Sequence, residues 1–260
     1  MSAAEPLIVL DGVSKIYAAR DGRPVTAVDK VSAVIHRGEF VSILGPSGCG
    51  KSTLLMMLAG LLPLTSGRIL LEGKELRGAQ KDFGMVFQDA LLFPWRTVEE
   101  NVMLPAEIAG QSREERTRRA HELIALVGLA GFEKKMPTEL SGGMQQRVAI
   151  ARALMLNPSV LLMDEPFGAL DAMTREQMNL EIQRISVKSG TTVIFVTHSI
   201  AEAAFLGNRV FVMTGRPANV KEIVHVDIER PRPIELMASD RLGKHISHLR
   251  NLFNLSGDAS

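Results

Sequence analysis

Chemistry is concentrated first in Gly45-Pro46-Ser47-Gly48-Cys49-Gly50-Lys51-Ser52, an octapeptide that follows an apolar run and precedes a stretch free of helix breakers. This is the P-loop pattern in the context it requires, a strand before it and a helix after it. Its glycines let the backbone fold tightly around a polyphosphate, so that amide N–H groups and the helix N-terminus meet the negative charge. Lys51 is expected to reach the β- and γ-phosphates, and the Ser52 hydroxyl to take a magnesium position. Cys49, inside the loop at a helix N-terminus, is expected to favour its thiolate. Bulky alkylation there would then block nucleotide binding; an inert buried thiol is the alternative.

A nucleotide-hydrolysing site of this kind also needs an acidic strand end. Val160-Leu161-Leu162-Met163 runs into Asp164, which is expected to complete the magnesium shell, and Glu165 follows it. A carboxylate at that position can polarise the attacking water without being consumed by the metal. A third element is Leu140-Ser141-Gly142-Gly143-Met144-Gln145-Gln146-Arg147. Ser141 can cap a helix whose first amides are exposed by two glycines, which makes a second anion-binding helix end in the same chain.

The elements that must position these residues follow from apolar pattern and breakers. Leu7–Leu10, Val25–Val34 and Phe40–Leu44 read as strands, separated by turns at Asp21-Gly22 and Arg37-Gly38. Lys51 onward is apolar on nearly all sides, as in a buried helix. Short β-like runs return at Arg68–Leu71 and Gly84–Phe87, and Thr97 to about Gly128 reads as helical and charged with one solvated face. A helix is expected from Ser141 to before Asn157-Pro158. The apolar runs Ser159–Met163 and Thr192–Thr197 alternate with helices, the mark of a parallel sheet buried on both faces. Toward the end, Val220–Asp227 alternates as a strand does. The Arg230-Pro231-Arg232-Pro233 stretch and an amphipathic helix carrying Leu242, Ile246, Leu249 and Phe253 follow; this helix is expected to pack on its own domain.

Composition bounds the possibilities. With 260 residues, 46% of them hydrophobic, the chain can form one compact domain, or one with small subdomains, and is no disordered tail. A formal net charge of +1 argues against attraction to nucleic-acid phosphates as the organising force, so an anionic ligand must be held locally. The single cysteine excludes an intramolecular disulfide framework and any multi-cysteine zinc site, and fits a reducing compartment. No secretory signal is readable at the N-terminus, so the chain is expected to stay in the cytoplasm. The most apolar stretch, Leu54–Leu64, is far shorter than the ~20 residues needed to cross a bilayer. If the protein works at a membrane, another chain must span it.

Taken together, these motifs resemble the ATP-binding cassette ATPases, whose signature is LSGGQ-like, and the resemblance covers nearly the whole chain in order. It implies an α/β P-loop NTPase core with a parallel sheet, an N-terminal antiparallel β-subdomain and an inserted α-helical subdomain at about 96–158. A C-terminal strand and helix at about 220–254 complete a single nucleotide-binding domain over 1–260. It implies ATP and Mg2+ as ligands. ATP would be bound by Tyr17, which stands where an aromatic stacks on adenine, by the loop residues Gly45, Pro46, Ser47, Gly48, Cys49, Gly50, Lys51, Ser52 and Thr53, and by Ser141, Gly142, Gly143, Gln145 and Asp171. Magnesium would be held by Ser52, Gln88 and Asp164. Catalytic roles fall to Glu165 as base, His198 as the switch histidine and Gln88 of the Q-loop. Ala169-Leu170-Asp171 resembles the D-loop. Met144 replaces the commoner glutamine of the signature and Gly168 the usual serine before the D-loop, departures that remove no charge and no metal ligand.

In that family the signature helix of one subunit closes on the P-loop ATP of another. The implied partners are therefore a second cassette in a head-to-tail dimer, two membrane-spanning permease chains and an external solute-binding protein, with no nucleic acid. The chain would lie peripherally on the cytoplasmic face of the inner membrane. Phe93, Pro94 and Trp95 sit after the Q-loop, where family members form a groove for a short permease helix; core packing is the rival role for Trp95. PWRTVEENV, LSGGMQQR, MDEPFGALDAMTR and ERPRP look like the nitrate, sulfonate and taurine importer group. An exporter or lipid-handling cassette, and a mechanochemical clamp on DNA or ribosomes, are the alternatives. The clamp lacks its long coiled coils or second cassette copy here.

Overall fold

The computed structural model describes residues 5–18, 23–168 and 170–254. Along the chain run β1 (Pro6–Tyr17), β2 (Val25–His36), β3 (Phe40–Leu44), α1 (Lys51–Leu58), β4 (Ser66–Leu71), β5 (Lys74–Glu75) and β6 (Phe83–Val86). There follow α2 (Val98–Ile108), α3 (Arg113–Leu126), α4 (Gly142–Ala153), β7 (Val160–Asp164), α5 (Ala172–Ser189) and β8 (Thr192–Thr197). The chain closes with α6 (Ile200–Leu206), β9 (Arg209–Thr214), β10 (Asn219–His225) and α7 (Asp240–Asn254). The expected Asp21-Gly22 turn and Ala169 lie outside the described residues. Two compact units are present, residues 1–80 with 182–260, and residues 81–181.

In the first unit, β2, β1, β4 and β5 form an antiparallel sheet in that order. The register pairs Ile8 with Leu71 and Ile16 with Thr26. A second layer runs β10-β9-β3-β8. There β3 is parallel to both β8 and β9, and β10 turns back antiparallel on β9. Every residue of β3 and β8 is buried, so their continuous apolar runs reflect a layer covered on both faces rather than an alternating half-exposed strand. The strand β9, absent from the sequence expectation, flanks β3 on its other side. The helix α7 buries Leu242, Leu249 and Leu252, so its apolar stripe is spent on its own unit.

Arg232, from the rigid Arg-Pro stretch, is the largest fully buried side chain in the described residues. Its guanidinium donates to the carbonyls of Ala204, Phe205 and Gly207 at the C-terminus of α6, and to those of Val226 and Ile228, at 2.6–3.3 Å. It thereby meets the negative end of a helix that has no basic residue in its last turn. Burial and the neighbouring Arg230 push its pKa down to about 10.

The second unit holds the parallel pair β6 and β7 with Val86 opposite Met163, together with α2, α3 and α4. The charged helical stretch divides into α2 and α3 at Gly110, which adopts φ +75. Each helix starts with a complete capping box, Thr97 with Glu100 and Ser112 with Glu115. Asn101, fully buried on α2, accepts the Phe93 N–H at 2.8 Å and donates to the carbonyls of Arg96 and Thr97 at 2.9 and 3.0 Å. One amide side chain thus fixes the loop that carries Trp95. No helix of the described residues is long and apolar enough to cross a membrane.

Candidate functional site

The first unit supplies the P-loop. Leu44 lies opposite Thr197 in the parallel pairing of β3 and β8, so Gly45 and His198 leave the sheet side by side at the carboxyl ends of adjacent strands. That edge is where open parallel sheets bind ligands. The helix α1 begins after Gly50 (φ 114) with no side-chain cap, which leaves its first-turn N–H groups facing outward for an anion. The loop is built so that only glycine fits at two points. A Cβ on Gly45 would lie 2.7 Å from the Met213 carbonyl, and one on Gly50 would lie 2.6 Å from the Ala27 carbonyl. Lys51 Nζ donates to the carbonyls of Gly45 and Pro46 at 2.9 and 3.0 Å, so its ammonium is held across the mouth of the loop. Ser52 is exposed on the first turn and Thr53 half-buried behind it. His198 is exposed. Tyr17 ends β1 and is 40% exposed, with Lys15 Nζ over its ring at 5.3 Å from the centroid.

Arg216 is a residue that sequence reasoning missed. It sits in the turn between β9 and β10, and its Nη2 comes within 2.6 Å of where a Gly48 Cβ would stand, so a second cation lies against the phosphate loop. No spacing in the chain signals this, because the contact is made by a distant hairpin.

Cys49 departs from expectation. Its side chain is only 3% exposed, and burial pushes the thiol up, against the opposing pull of the Lys51 charge. The proximity of a helix N-terminus favours the thiolate, but desolvation of the charged form outweighs it. The thiol is therefore expected to resist alkylation at neutral pH. Titration of the native protein with a maleimide should label Cys49 about 10-fold or more slowly than the same protein in denaturant. Full labelling within minutes, with ATPase activity lost in step, would restore the reactive-thiol reading.

The second unit, taken by itself, carries the carboxylates and the signature. Gln88 and Glu165 each stand two residues beyond the paired Val86 and Met163, so they emerge at one end of β6 and β7. Gln88 Nε2 passes 3.8 Å from where a Gly168 Cβ would be, in ordinary contact, so a serine at 168 would fit beside the glutamine. Asp164 is half-buried at the tip of β7. Glu165 takes a left-handed φ of 43 and its carbonyl accepts the Gly168 N–H at 3.1 Å, a tight turn that sets the direction of its side chain.

Ser141 caps α4 by accepting the Met144 N–H at 3.3 Å. Gly142 has nothing within 4 Å of its missing Cβ, whereas at Gly143 a Cβ would meet Thr174 Cγ2 at 2.8 Å. Gly142 keeps the helix end open and Gly143 permits close packing. Gln145 directs its amide nitrogen to the carbonyls of Pro137 and Leu140, so the groups of this segment that face an approaching anion are Ser141 and the first amides of α4. Asp171 caps α5 through Thr174, whose N–H and hydroxyl it accepts at 3.0 and 2.6 Å; these bonds hold its carboxyl below the usual carboxylate range.

Beside the Q-loop lies an apolar groove of about 510 Å³ lined by Phe83, Met85, Phe87, Leu91, Phe93, Leu104, Pro105, Ile108 and Leu156. Arg152 lies at its edge and donates to the carbonyls of Ala90 and Leu91. Trp95 is 70% exposed and tilts against Phe93, 5.2 Å between ring centroids, so it packs in no core.

The match to the ABC transporter family model spans residues 28–168. The chain is 52% identical over 224 residues to the taurine import ATP-binding protein TauB of Rhizobium johnstonii, covering 86% of each chain. It is 43% identical over 239 residues to the bicarbonate transport ATP-binding protein CmpD of Synechococcus elongatus, covering 91% of this chain and 86% of that one. Among solved structures it is similar to the dimeric post-hydrolysis state of the ATP-binding cassette MJ0796 bound to ADP and Pi. The TM-score there is 0.76 at 35% identity, over 86% of this chain and 100% of that one. With the phosphate loop, the acidic strand end and the signature helix all present, the chain belongs to the ABC transporter family as one of its ATP-binding, ATP-hydrolysing proteins.

Proposed function

We propose that this chain hydrolyses ATP with magnesium to energise uptake of a small solute, an anion such as nitrate, a sulfonate or taurine, with bicarbonate added to that range by kinship. The observation that carries the reading is a pair of helix N-termini, α1 and α4, each left open to an anion by glycine and neither neutralised by an acidic first turn. The solute itself does not touch a cassette, so its identity rests on the relatives named above.

The parts proposed for the residues are those that their motifs imply. Lys51 and the first amides of α1 hold the β- and γ-phosphates, and Tyr17 offers its face to adenine. Ser52, Asp164 and Gln88 are the residues that would hold magnesium. Hydroxyl, carboxylate and amide oxygens suit that hard cation. When bound, the ion supplies charge neutralisation on the phosphates. Glu165 accepts the proton of the attacking water, and His198 meets the γ-phosphate. Ser141 and the Gly142 and Gly143 amides grip the same phosphate group from a second copy of the chain, so that hydrolysis removes the contact that keeps the pair closed. Asp171 carries the message between the two sites.

The partners are a second cassette, two permease chains and an external binding protein, with this chain peripheral on the cytoplasmic face of the inner membrane. The groove beside the Q-loop suits a short amphipathic permease helix, since Trp95, Leu91 and Ile108 are exposed at its margin and Asn101 fixes the loop that carries Trp95. Membranes from cells expressing a tagged chain are expected to yield a permease and a binding protein in the same complex. Ile108→Asp, at an exposed groove position, should strip the permease from the preparation without lowering Tm by more than about 2 °C. Recovery of nucleic acid or ribosomes in place of a permease would overturn the importer reading.

A further inference from the structure

We propose that Thr197 and Glu202 are positioning residues that aim His198, an inference that rests on His198 meeting the γ-phosphate. The sequence Ser199-Ile200-Ala201-Glu202 reads as a capping box, in which the glutamate would reach back to the N–H of the capping serine. Only half of that box forms. Ser199 Oγ accepts the Glu202 N–H at 3.3 Å, but the Ser199 N–H is taken by Thr197 Oγ1 at 3.0 Å. The Thr197 hydroxyl in turn donates to Glu202 Oε2 at 2.6 Å. The carboxylate therefore reaches past the capping residue, and the three bonds close a ring around His198.

Thr197 is 2% exposed and Glu202 is 7% exposed, while the imidazole between them faces outward. A hydroxyl bonded to a carboxylate is a short, charge-assisted donor, and in a buried setting it fixes the torsions on both sides of the histidine.

The ring is not what keeps α6 in the fold. Ala203, Ala204, Phe205 and Leu206 are fully buried, and Arg232 holds the far end of the helix. Thr197 and Glu202 bond within the turn, and the turn carries one side chain outward from the end of β8 beside Gly45. A loosened turn leaves ATP binding to the P-loop intact and spreads His198 over several orientations, so the loss falls on the rate.

The test measures kcat and KM for MgATP in Thr197→Val, Thr197→Ser, Glu202→Gln, His198→Ala and the Thr197→Val/His198→Ala pair. Thr197→Val is expected to lower kcat about five- to tenfold with KM unchanged, the effect of one lost buried hydrogen bond on an aimed group. Thr197→Ser restores the hydroxyl, and Glu202→Gln keeps an acceptor oxygen, so both should recover most of that loss. In the His198→Ala background the valine should cost less than about twofold, because nothing is left to aim. Hydrogen exchange at the 198–202 amides should quicken in Thr197→Val beyond any change at amides elsewhere in the same protein, a readout independent of turnover. The proposal is overturned if the valine costs the same factor with and without His198, if it acts on KM, or if exchange is unchanged. Wild-type turnover in His198→Ala would instead refute the role of His198 itself, and the ring's function with it.

Discussion

Lys51→Ala is expected to remove ATP turnover, with kcat/KM for MgATP falling by about three orders of magnitude or more, the scale of losing a fixed charge in a water-poor phosphate site. Lys51 is the first residue of α1 and its ammonium is tied to the carbonyls of Gly45 and Pro46 across the loop. The charge is thus held at the rim of the phosphate cradle before any ligand arrives, so little ordering is needed on binding. Alanine removes both the charge and the two bonds that brace the loop. Binding of a fluorescent ATP analogue and phosphate release would be measured together, with thermal unfolding to establish that the variant is folded. Turnover within about threefold of the unmodified protein would mean that the phosphates are held elsewhere.

The second large effect concerns Glu165. Glu165→Gln should cut ATP turnover by about two to four orders of magnitude while leaving ATP bound, because an amide keeps the size of the carboxylate but cannot accept the proton of water. The left-handed φ of 43 and the bond from the Gly168 N–H to the Glu165 carbonyl are backbone features, and glutamine meets the same backbone demand as glutamate. The local geometry is therefore retained. With hydrolysis stopped, the contact between the γ-phosphate and Ser141 of a second copy is not released, so the protein should elute as a dimer with ATP and as a monomer with ADP. Light scattering coupled to gel filtration reads this directly. A variant that stays monomeric in ATP yet turns over at the full rate would count against both the base and the sandwich.

Much of this site was legible before any fold was known, because its parts are short, local and ruled by backbone chemistry. A glycine-rich loop between strand and helix has one main use, and Gly45 and Gly50 are glycines because a carbonyl stands where a side chain would be. Ser141 heads α4 because a hydroxyl immediately before a glycine pair can cap the helix amides. The run Thr192–Thr197 corresponds residue for residue to β8, since β-branched and aromatic residues there leave no other choice. Other readings ended where burial or a competing bond intervenes. The sequence places Cys49 at a helix N-terminus, which favours a thiolate, but the folded chain leaves it only 3% exposed and desolvation prevails. The capping-box pattern at Ser199 and Glu202 is real in the sequence and half realised, because Thr197 competes for the same N–H.

By itself, then, the chain determined the reaction type, the phosphate loop, the acidic strand end and the order of the elements, all of which depend on residues within a few positions of one another. Tertiary structure alone decided that Cys49 is a buried thiol and that Trp95 stands out at the edge of a groove. It also decided that Arg216 leans on the phosphate loop and that Arg232 is buried against the end of α6. The reason is physical. Hydrogen bonding within a turn depends on local torsions, whereas desolvation and long-range charge depend on which remote surfaces close over a group, and these are summed only when the whole chain has packed.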